Sequence, residues 1–519
     1  MTESTENPPI NRWIIAIAVM LSTFMEVLDT TVVNVSLPHI AGSLSATPDE
    51  ATWALTSYLV ANAIILPMTG WLASRFGRKR LLMLAVTGFT AASFLCGFAP
   101  TLSALIVFRV IQGACGGGLQ PISQAVLLET FPPEERGKAM GFWGLGIVVA
   151  PMLGPVLGGW ITDSYSWRWV FYINVPVGIL ALVMTELFIF DPPYLRRTES
   201  RIDYWGIGFL AVGVASLQIV LDKGQEDDWF GSHFILTLAI IAAIALVIFI
   251  ARELLTEHPV VDLRVFKVRT YSTGVFLMTL LGFGLYGGLV ILPLLLQTLL
   301  GYPALQAGIA LFPRGFGSFL MMPTVGFLLT RFDARKMLSA GVLVTAISFM
   351  MLGTLNLSIG YWQVFWPQLI QGLAMGMVFV PLTTITMDPI PNERMGNATS
   401  IFNLMRNLGG SMGIAASTTL VARREQLYFN LLGRHVNPYS LRSRMLRSSL
   451  QQMFFAKGAD WATATARANA LLFRIVERHS AMLAYNATFW TLAVIFIVMG
   501  PFILLMKRPR TRPGGIAAH

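Results

Sequence analysis

Charge is what this chain lacks most. Asp, Glu, Lys and Arg make up 12% of its 519 residues, whereas 55% are hydrophobic. Soluble domains carry about 25% charged residues, and a water-soluble fold of this length could not hide so much apolar surface. A lipid bilayer needs no such hiding. Cysteine is also scarce. Cys96 and Cys115 are the only two, and both fall in apolar runs, which excludes a disulfide framework and a cysteine-based metal site. None of the six histidines lies in the middle of an apolar run, which argues against a histidine proton relay. Walker loop, dinucleotide fingerprint, zinc spacing and nucleophile elbow are all missing, so the sequence reads as neither an ATP-driven machine nor an enzyme. The net charge of +10 does not point to nucleic acid, because membrane proteins concentrate Lys and Arg in loops on one side.

What is present is a series of apolar runs. A helix needs about 20 apolar residues to cross the bilayer core. Fourteen windows qualify: 13–38, 53–74, 80–99, 103–127, 139–162, 169–190, 203–221, 234–252, 271–299, 305–330, 337–356, 361–387, 397–421 and 482–506. The first is too long for a signal-peptide core and is read as a retained helix. Alternate loops are basic, with Arg75, Arg78, Lys79, Arg80, Arg196, Arg197, Arg264, Lys267, Arg331, Arg335, Lys336, Lys507 and Arg508 on one side. The short loops opposite hold Arg168 and Lys223, and one of them is acidic, with Asp222, Glu226, Asp227 and Asp228. By the positive-inside rule both termini are expected in the cytoplasm.

The chain echoes itself at a spacing near 256 residues. Gly70-Trp-Leu-Ala-Ser-Arg75-Phe-Gly77-Arg78-Lys79-Arg80 returns as Gly326-Phe-Leu-Leu-Thr-Arg331-Phe-Asp-Ala-Arg335-Lys336. Arg109-Val-Ile-Gln112-Gly113 returns as Gln368-Leu-Ile-Gln371-Gly372. Two six-helix halves therefore flank a central pair of helices, an architecture of secondary transporters with a site at the midplane. The expected units are residues 1–190, 191–258 and 259–506, with a tail at 507–519.

Within the apolar windows, Glu26 and Asp29 are three residues apart and share one helix face. An ionised carboxylate in mid-membrane costs about 2.5–3.5 kcal/mol on insertion scales, and a group that takes up and releases a proton is a functional reason to keep one. The structural alternative is a satisfied polar contact between helices. Arg109 demands a carboxylate or backbone carbonyls, and its echo Gln368 is neutral, so helix packing alone does not require an arginine there. Arg314 and Arg406 could bind anionic groups of a substrate or hold helix ends. Tyr58, Asn62, Phe379 and Phe402, with Trp53, Phe142, Trp143, Phe283 and Tyr286, are candidates to line an apolar cavity.

Four motifs in the right helices and order carry a resemblance. Leu28-Asp29-Thr-Thr-Val-Val-Asn34-Val-Ser-Leu-Pro38, the Gly70–Arg80 loop, Arg109-x-x-Gln112-Gly113, and Gly146-Ile-Val-Val-Ala-Pro151-Met-Leu-Gly154-Pro155-Val-Leu-Gly158-Gly159 together resemble the fourteen-helix drug:proton antiporters of the major facilitator superfamily, most closely the EmrB type. The resemblance covers nearly the whole chain. It departs from the pattern at Ser74, where the family usually has an acid. It implies an all-α, polytopic fold in a bacterial inner membrane. It further implies proton-coupled export of hydrophobic small molecules by alternating access, with no cofactor besides the proton. Asp29, Glu26 and Arg109 would couple the proton. Asn34, Tyr58, Asn62, Gln112, Arg314, Phe379, Phe402 and Arg406 are the substrate-binding candidates. Gly70, Gly77, Arg78, Gly146, Pro151, Gly154, Pro155, Gly158 and Gly159 would serve the conformational change. The alternatives are an exporter of one metabolite or fatty acid, an importer, and a non-transporting receptor.

One segment exceeds the usual connection. Residues 422–480 hold ten basic and three acidic residues. Leu441–Phe455 and Trp461–Val476 read as two helices, with Pro438 before the first and Gly458 between them, forming a hairpin outside the membrane. The resemblance implies a periplasmic membrane-fusion adaptor and an outer-membrane channel as partners, which this hairpin would meet. The alternative is a lid on the transporter's own outer face.

Overall fold

A computed structural model of the chain describes residues 11–191, 202–257, 259–437 and 439–507. Arg196, Arg197, Pro438, Arg508 and the rest of the tail lie outside the described residues. All regular structure in the described residues is helical: α1 (Arg12–Ser43), α2 (Pro48–Phe76), α3 (Arg78–Phe98), α4 (Leu102–Gly116), α5 (Leu119–Thr130), α6 (Arg136–Ser164), α7 (Trp169–Tyr172), α8 (Asn174–Phe188), α9 (Tyr204–Lys223), α10 (His233–Leu255), α11 (Arg269–Leu294), α12 (Ala304–Leu328), α13 (Ala334–Leu352), α14 (Tyr361–Met387), α15 (Met395–Gly433), α16 (Leu441–Ala456) and α17 (Trp461–Ile503).

Among the described residues, 12 helical stretches are long and apolar enough to cross a membrane. The windows 305–330 and 397–421 are also helical, as α12 and α15, but they are not among those twelve. Within its window α15 carries Asn397, Asn403, Arg406 and Asn407, of which Asn403 and Arg406 are buried against neighbouring helices and the other two are half-buried.

Two windows read as single helices are broken, and the breaks have local causes. The fourth parts at Gly117–Gly118, the end of three consecutive glycines, where helix propensity is lowest. The absence of side chains there also lets α4 approach α2: a Cβ on Gly117 would sit 2.6 Å from the Asn62 carbonyl oxygen. The sixth parts at Ile173. Pro176 has no amide hydrogen to give the Tyr172 carbonyl and its ring crowds that oxygen, and α8 starts afresh at Asn174.

The helices before residue 190 pack mainly on one another, and so do α11 to α17. The seam between these groups is made by α6 with α12 and by α2 and α5 with α15. It is tight on the side that carries the chain ends. A Cβ on Gly70 would lie 2.6 Å from the Asn397 backbone, and one on Gly326 would lie 2.7 Å from the Gly137 carbonyl. Arg136 donates to Asn392 across the seam at 3.2 Å. Towards the other side the close glycine contacts stop: Gly159 and Gly308 meet nothing within 4 Å. Helices α9 and α10 lie on the α2–α15 seam, where Leu210, Val214 and Phe249 pack with Ala63, Met68 and Ile401.

The segment beyond the bundle is helical but differs from the expected hairpin. Its second helix is not separate: α17 runs unbroken from Trp461 into the last span, and α15 likewise continues to Gly433. Helix formers continue past the apolar window with no glycine or proline to stop them. Helix α16 packs on α17 and buries none of its own residues. A cavity of about 380 Å³ lies between the three, lined by Phe429, Leu472, Phe473, Val476, Arg444 and Arg447.

Candidate proton-coupling site

The first half of the chain converges on Asp29. Its side chain and that of Arg109 are both fully buried, and Arg109 Nη1 donates to Asp29 Oδ2 at 2.6 Å. Gln112, one turn further along α4, donates to Asp29 Oδ1 at 3.0 Å and accepts from Arg109 at 2.8 Å. The break before α8 delivers Asn174, whose Nδ2 donates to the same Oδ1 at 2.7 Å and to Ser93 Oγ at 3.0 Å. Arg109 Nε donates to the Ala54 carbonyl at 3.0 Å, and its guanidinium lies 4.2 Å from the centre of the Tyr58 ring. Arg109 Nη2 has no hydrogen-bond partner. Five helices thus hold one ion pair. A buried pair repays its desolvation only when such further hydrogen bonds are made. Sequence reasoning does not single out Asn174 or Ser93; their only signal is an isolated Asn two residues before a proline in an apolar run.

Glu26 belongs to a different cluster. It is buried, but its Oε1 accepts from Asn62 of α2 at 2.9 Å and its Oε2 has no partner. The shared face expected of the two acids therefore divides: Asp29 is enclosed within its own half, whereas Glu26 looks toward the seam. Gln120 of α5 lies beside Glu26 and also accepts from Arg406 of α15 in the other half. Asn403 donates to Gln124 at 2.5 Å, and Thr399 to the Pro121 carbonyl at 3.1 Å.

The other candidates scatter. Tyr58, Phe379 and Phe402 are buried in packed surroundings rather than lining open space; Phe379 stacks on Trp143, whose indole donates to Thr23 at 3.2 Å. Tyr58 lies inside the first half, against Arg109 and Phe89, whereas Phe379 packs across the closed seam onto Trp143 of α6. Asn34 is exposed on α1. Arg314 is buried, and among the described residues its one hydrogen bond is to the Leu285 carbonyl at 3.5 Å.

Among the motif residues, Gly77 caps α3 with φ +86°, a conformation that glycine adopts freely. Asp191 accepts from the Lys79 amide at 2.9 Å beside it. Arg78 pairs with Glu129 at the end of α5. Acids distant in sequence thus serve this loop, while Ser74 bonds only its own helix. In α6, which continues helical through Pro151, Gly154 and Gly158 meet Thr31 and Val32 of α1 and Gly146 meets Met20. The side chain of Pro155 lies outside the described residues.

An all-helical bundle of this size, with a charged pair buried among its spans, defines a multi-pass membrane transporter. The model of the Major Facilitator Superfamily matches residues 19–414, and the chain belongs to that superfamily. It is 40% identical over 507 residues to the multidrug export protein EmrB of Haemophilus influenzae, covering 97% of this chain and 98% of the relative. It is 38% identical to the fatty acid resistance protein FarB of Neisseria gonorrhoeae over 518 residues, covering 98% and 99%. Among solved structures, the human organic anion transporter MFSD10 matches with TM-score 0.62 at 14% identity, covering 96% of this chain and all of that one. The proton:xylose symporter XylE matches with TM-score 0.61 at 15% identity, covering 95% of each chain. The likeness to the EmrB type read from the motifs is borne out.

Proposed function

We propose that this protein is a proton-driven exporter of hydrophobic drugs or fatty acids, working by alternating access between bundles 1–190 and 259–506. The observation that carries the reading is the Asp29–Arg109 pair, buried and enclosed by five helices. A proton arriving at Asp29 neutralises the carboxylate and frees Arg109 from it, and the cation must then find other acceptors or move. That exchange gives the bundle two charge states and two arrangements. The relatives named for drug export and fatty acid resistance support this substrate range. By the basic loops, the closed side of the seam faces the cytoplasm of a bacterial inner membrane, with fourteen crossings. Purified protein in liposomes tests the reading: an imposed pH gradient should drive uphill movement of ethidium or of a labelled hydrophobic acid. No gradient-dependent movement of either would sink it.

The segment above the bundle is read as the docking surface for a periplasmic adaptor that leads to an outer-membrane channel. Helix α16 supports this, since it exposes Leu441, Met445 and Phe455 and also carries Arg442, Arg444 and Arg447. Replacing residues 441–456 with a Gly/Ser linker should spare transport in liposomes and abolish co-purification of the adaptor. Retained co-purification contradicts docking, and lost transport favours a lid.

A further inference from the structure

Two arginines in the second half have no carboxylate. Arg314 in α12 and Arg406 in α15 are both buried, and neither forms an ion pair among the described residues. Arg406 donates to Gln120 and, at 3.3 Å, to Asn407; its Nε has no partner. A cation without a counter-ion inside a membrane protein is costly, and such groups mark substrate paths. The two lie near successive turns of α11: Gly282 abuts the Arg406 carbonyl, and the Leu285 carbonyl accepts from Arg314. Glu26 of the opposite half lies within electrostatic reach of Arg406, on the far side of Gln120, and forms no ion pair with it among the described residues. Glu26 likewise keeps one oxygen unpartnered. The chain Glu26–Gln120–Arg406 therefore crosses the seam with an unused acceptor at one end and an unused donor at the other.

We propose that Arg406 is the head-group site for acidic substrates, that the Gln120 carbonyl holds its place while the seam is shut, and that Glu26 competes with the substrate for it. This rests on the reading of the chain as an exporter and adds to it the residue that selects acidic cargo. A carboxylate offers the guanidinium two acceptors and a full negative charge where the amide offers one neutral oxygen, and the bidentate Arg–carboxylate pair is the stronger and more specific of the two. A substrate acid that reaches Arg406 therefore displaces Gln120 and loosens the seam contact that Gln120 makes with α15. An ionised Glu26 offers Arg406 a rival negative charge, so loss of that charge favours the substrate acid.

Equilibrium dialysis of the purified full-length protein tests this with two probes of one shape and opposite charge, 2-naphthoate and 2-naphthylmethylammonium. Arg406→Gln should weaken naphthoate binding at least tenfold and leave the ammonium probe within threefold. Arg406→Lys, which keeps the charge, should restore most of the naphthoate affinity. Glu26→Gln should tighten naphthoate binding. The proposal is overturned if the wild type does not bind naphthoate, if Arg406→Gln weakens both probes equally, or if Glu26→Gln weakens naphthoate. The liposome assay remains separate: gradient-driven transport that survives unchanged beside any of these failures removes the head-group site and leaves the exporter standing.

Discussion

The two halves of the chain share a scaffold and differ in charge. Gly113 of α4 packs on the Tyr58 carbonyl, and Gly372 of α14 packs on the Arg314 carbonyl, which places Arg314 where the first half has Tyr58. Ser93 and Ser348 are likewise both buried and both bonded to a backbone carbonyl, Phe171 at 2.9 Å and Pro367 at 2.8 Å. Yet Arg109 and Gln112 have become Gln368 and Gln371, which bond each other at 3.4 Å. At the repeat spacing, Asp29 corresponds to Leu285. The second half thus has neither member of the ion pair at the corresponding positions. Its own arginines, Arg314 and Arg406, stand elsewhere and lack carboxylates. One half holds a compensated pair suited to proton exchange, and the other holds uncompensated cations suited to an incoming anion.

The largest expected effect comes from unbalancing the compensated pair. Asp29→Asn should reduce gradient-driven efflux at least a hundredfold. It leaves Arg109 buried and unpaired, which costs about 3–5 kcal/mol, visible as a lower thermal midpoint in detergent. Asp29→Asn with Arg109→Gln, which imitates the second half, should recover the midpoint without recovering efflux. If the double variant is no more stable than the single one, the pair is not a unit.

Next in size is Arg109→Lys. A point charge cannot serve Asp29, Gln112 and the Ala54 carbonyl together, so efflux should fall about tenfold in vesicles while the protein still inserts. Asn174→Leu removes one hydrogen bond to a charged group, worth about 1.5–3 kcal/mol, and should lower the thermal midpoint. An unchanged midpoint would make Asn174 a bystander. The smallest effect belongs to the second half: Gln368→Leu should change efflux less than threefold. A loss as large as that of Arg109→Lys would erase the contrast between the halves.

The sequence showed much of this scaffold, and the reasons it stopped are physical. All fourteen apolar windows are helical, two of them with a break and twelve of them long and apolar enough to cross a membrane, because length and hydropathy are local properties. Asp29 and Arg109 stood out because a charge in an apolar run needs a partner, and each is the other's. Gln112 stood out in its motif, but Asn174 and Ser93 did not, since Asn174 reaches Asp29 only through the break at Ile173 that Pro176 causes. The separation of Glu26 from Asp29 depends on what surrounds α1, with α2 on one side and α4 and α8 on the other, and three-residue spacing cannot tell these apart. The partners of Arg78 and Lys79, Glu129 and Asp191, come from distant segments. Continuity of α15 and α17 beyond the membrane was masked because hydropathy marks where lipid ends, not where a helix ends.

The central claim is that proton coupling resides in the Asp29–Arg109 pair of the first half. Liposomes containing wild type or Asp29→Asn, loaded with substrate and assayed with and without an imposed pH gradient, test it most directly. The account predicts that Asp29→Asn still exchanges internal for external substrate at a rate near that of the wild type, yet accumulates nothing against a concentration difference. Uphill accumulation by Asp29→Asn at the wild-type level would contradict it.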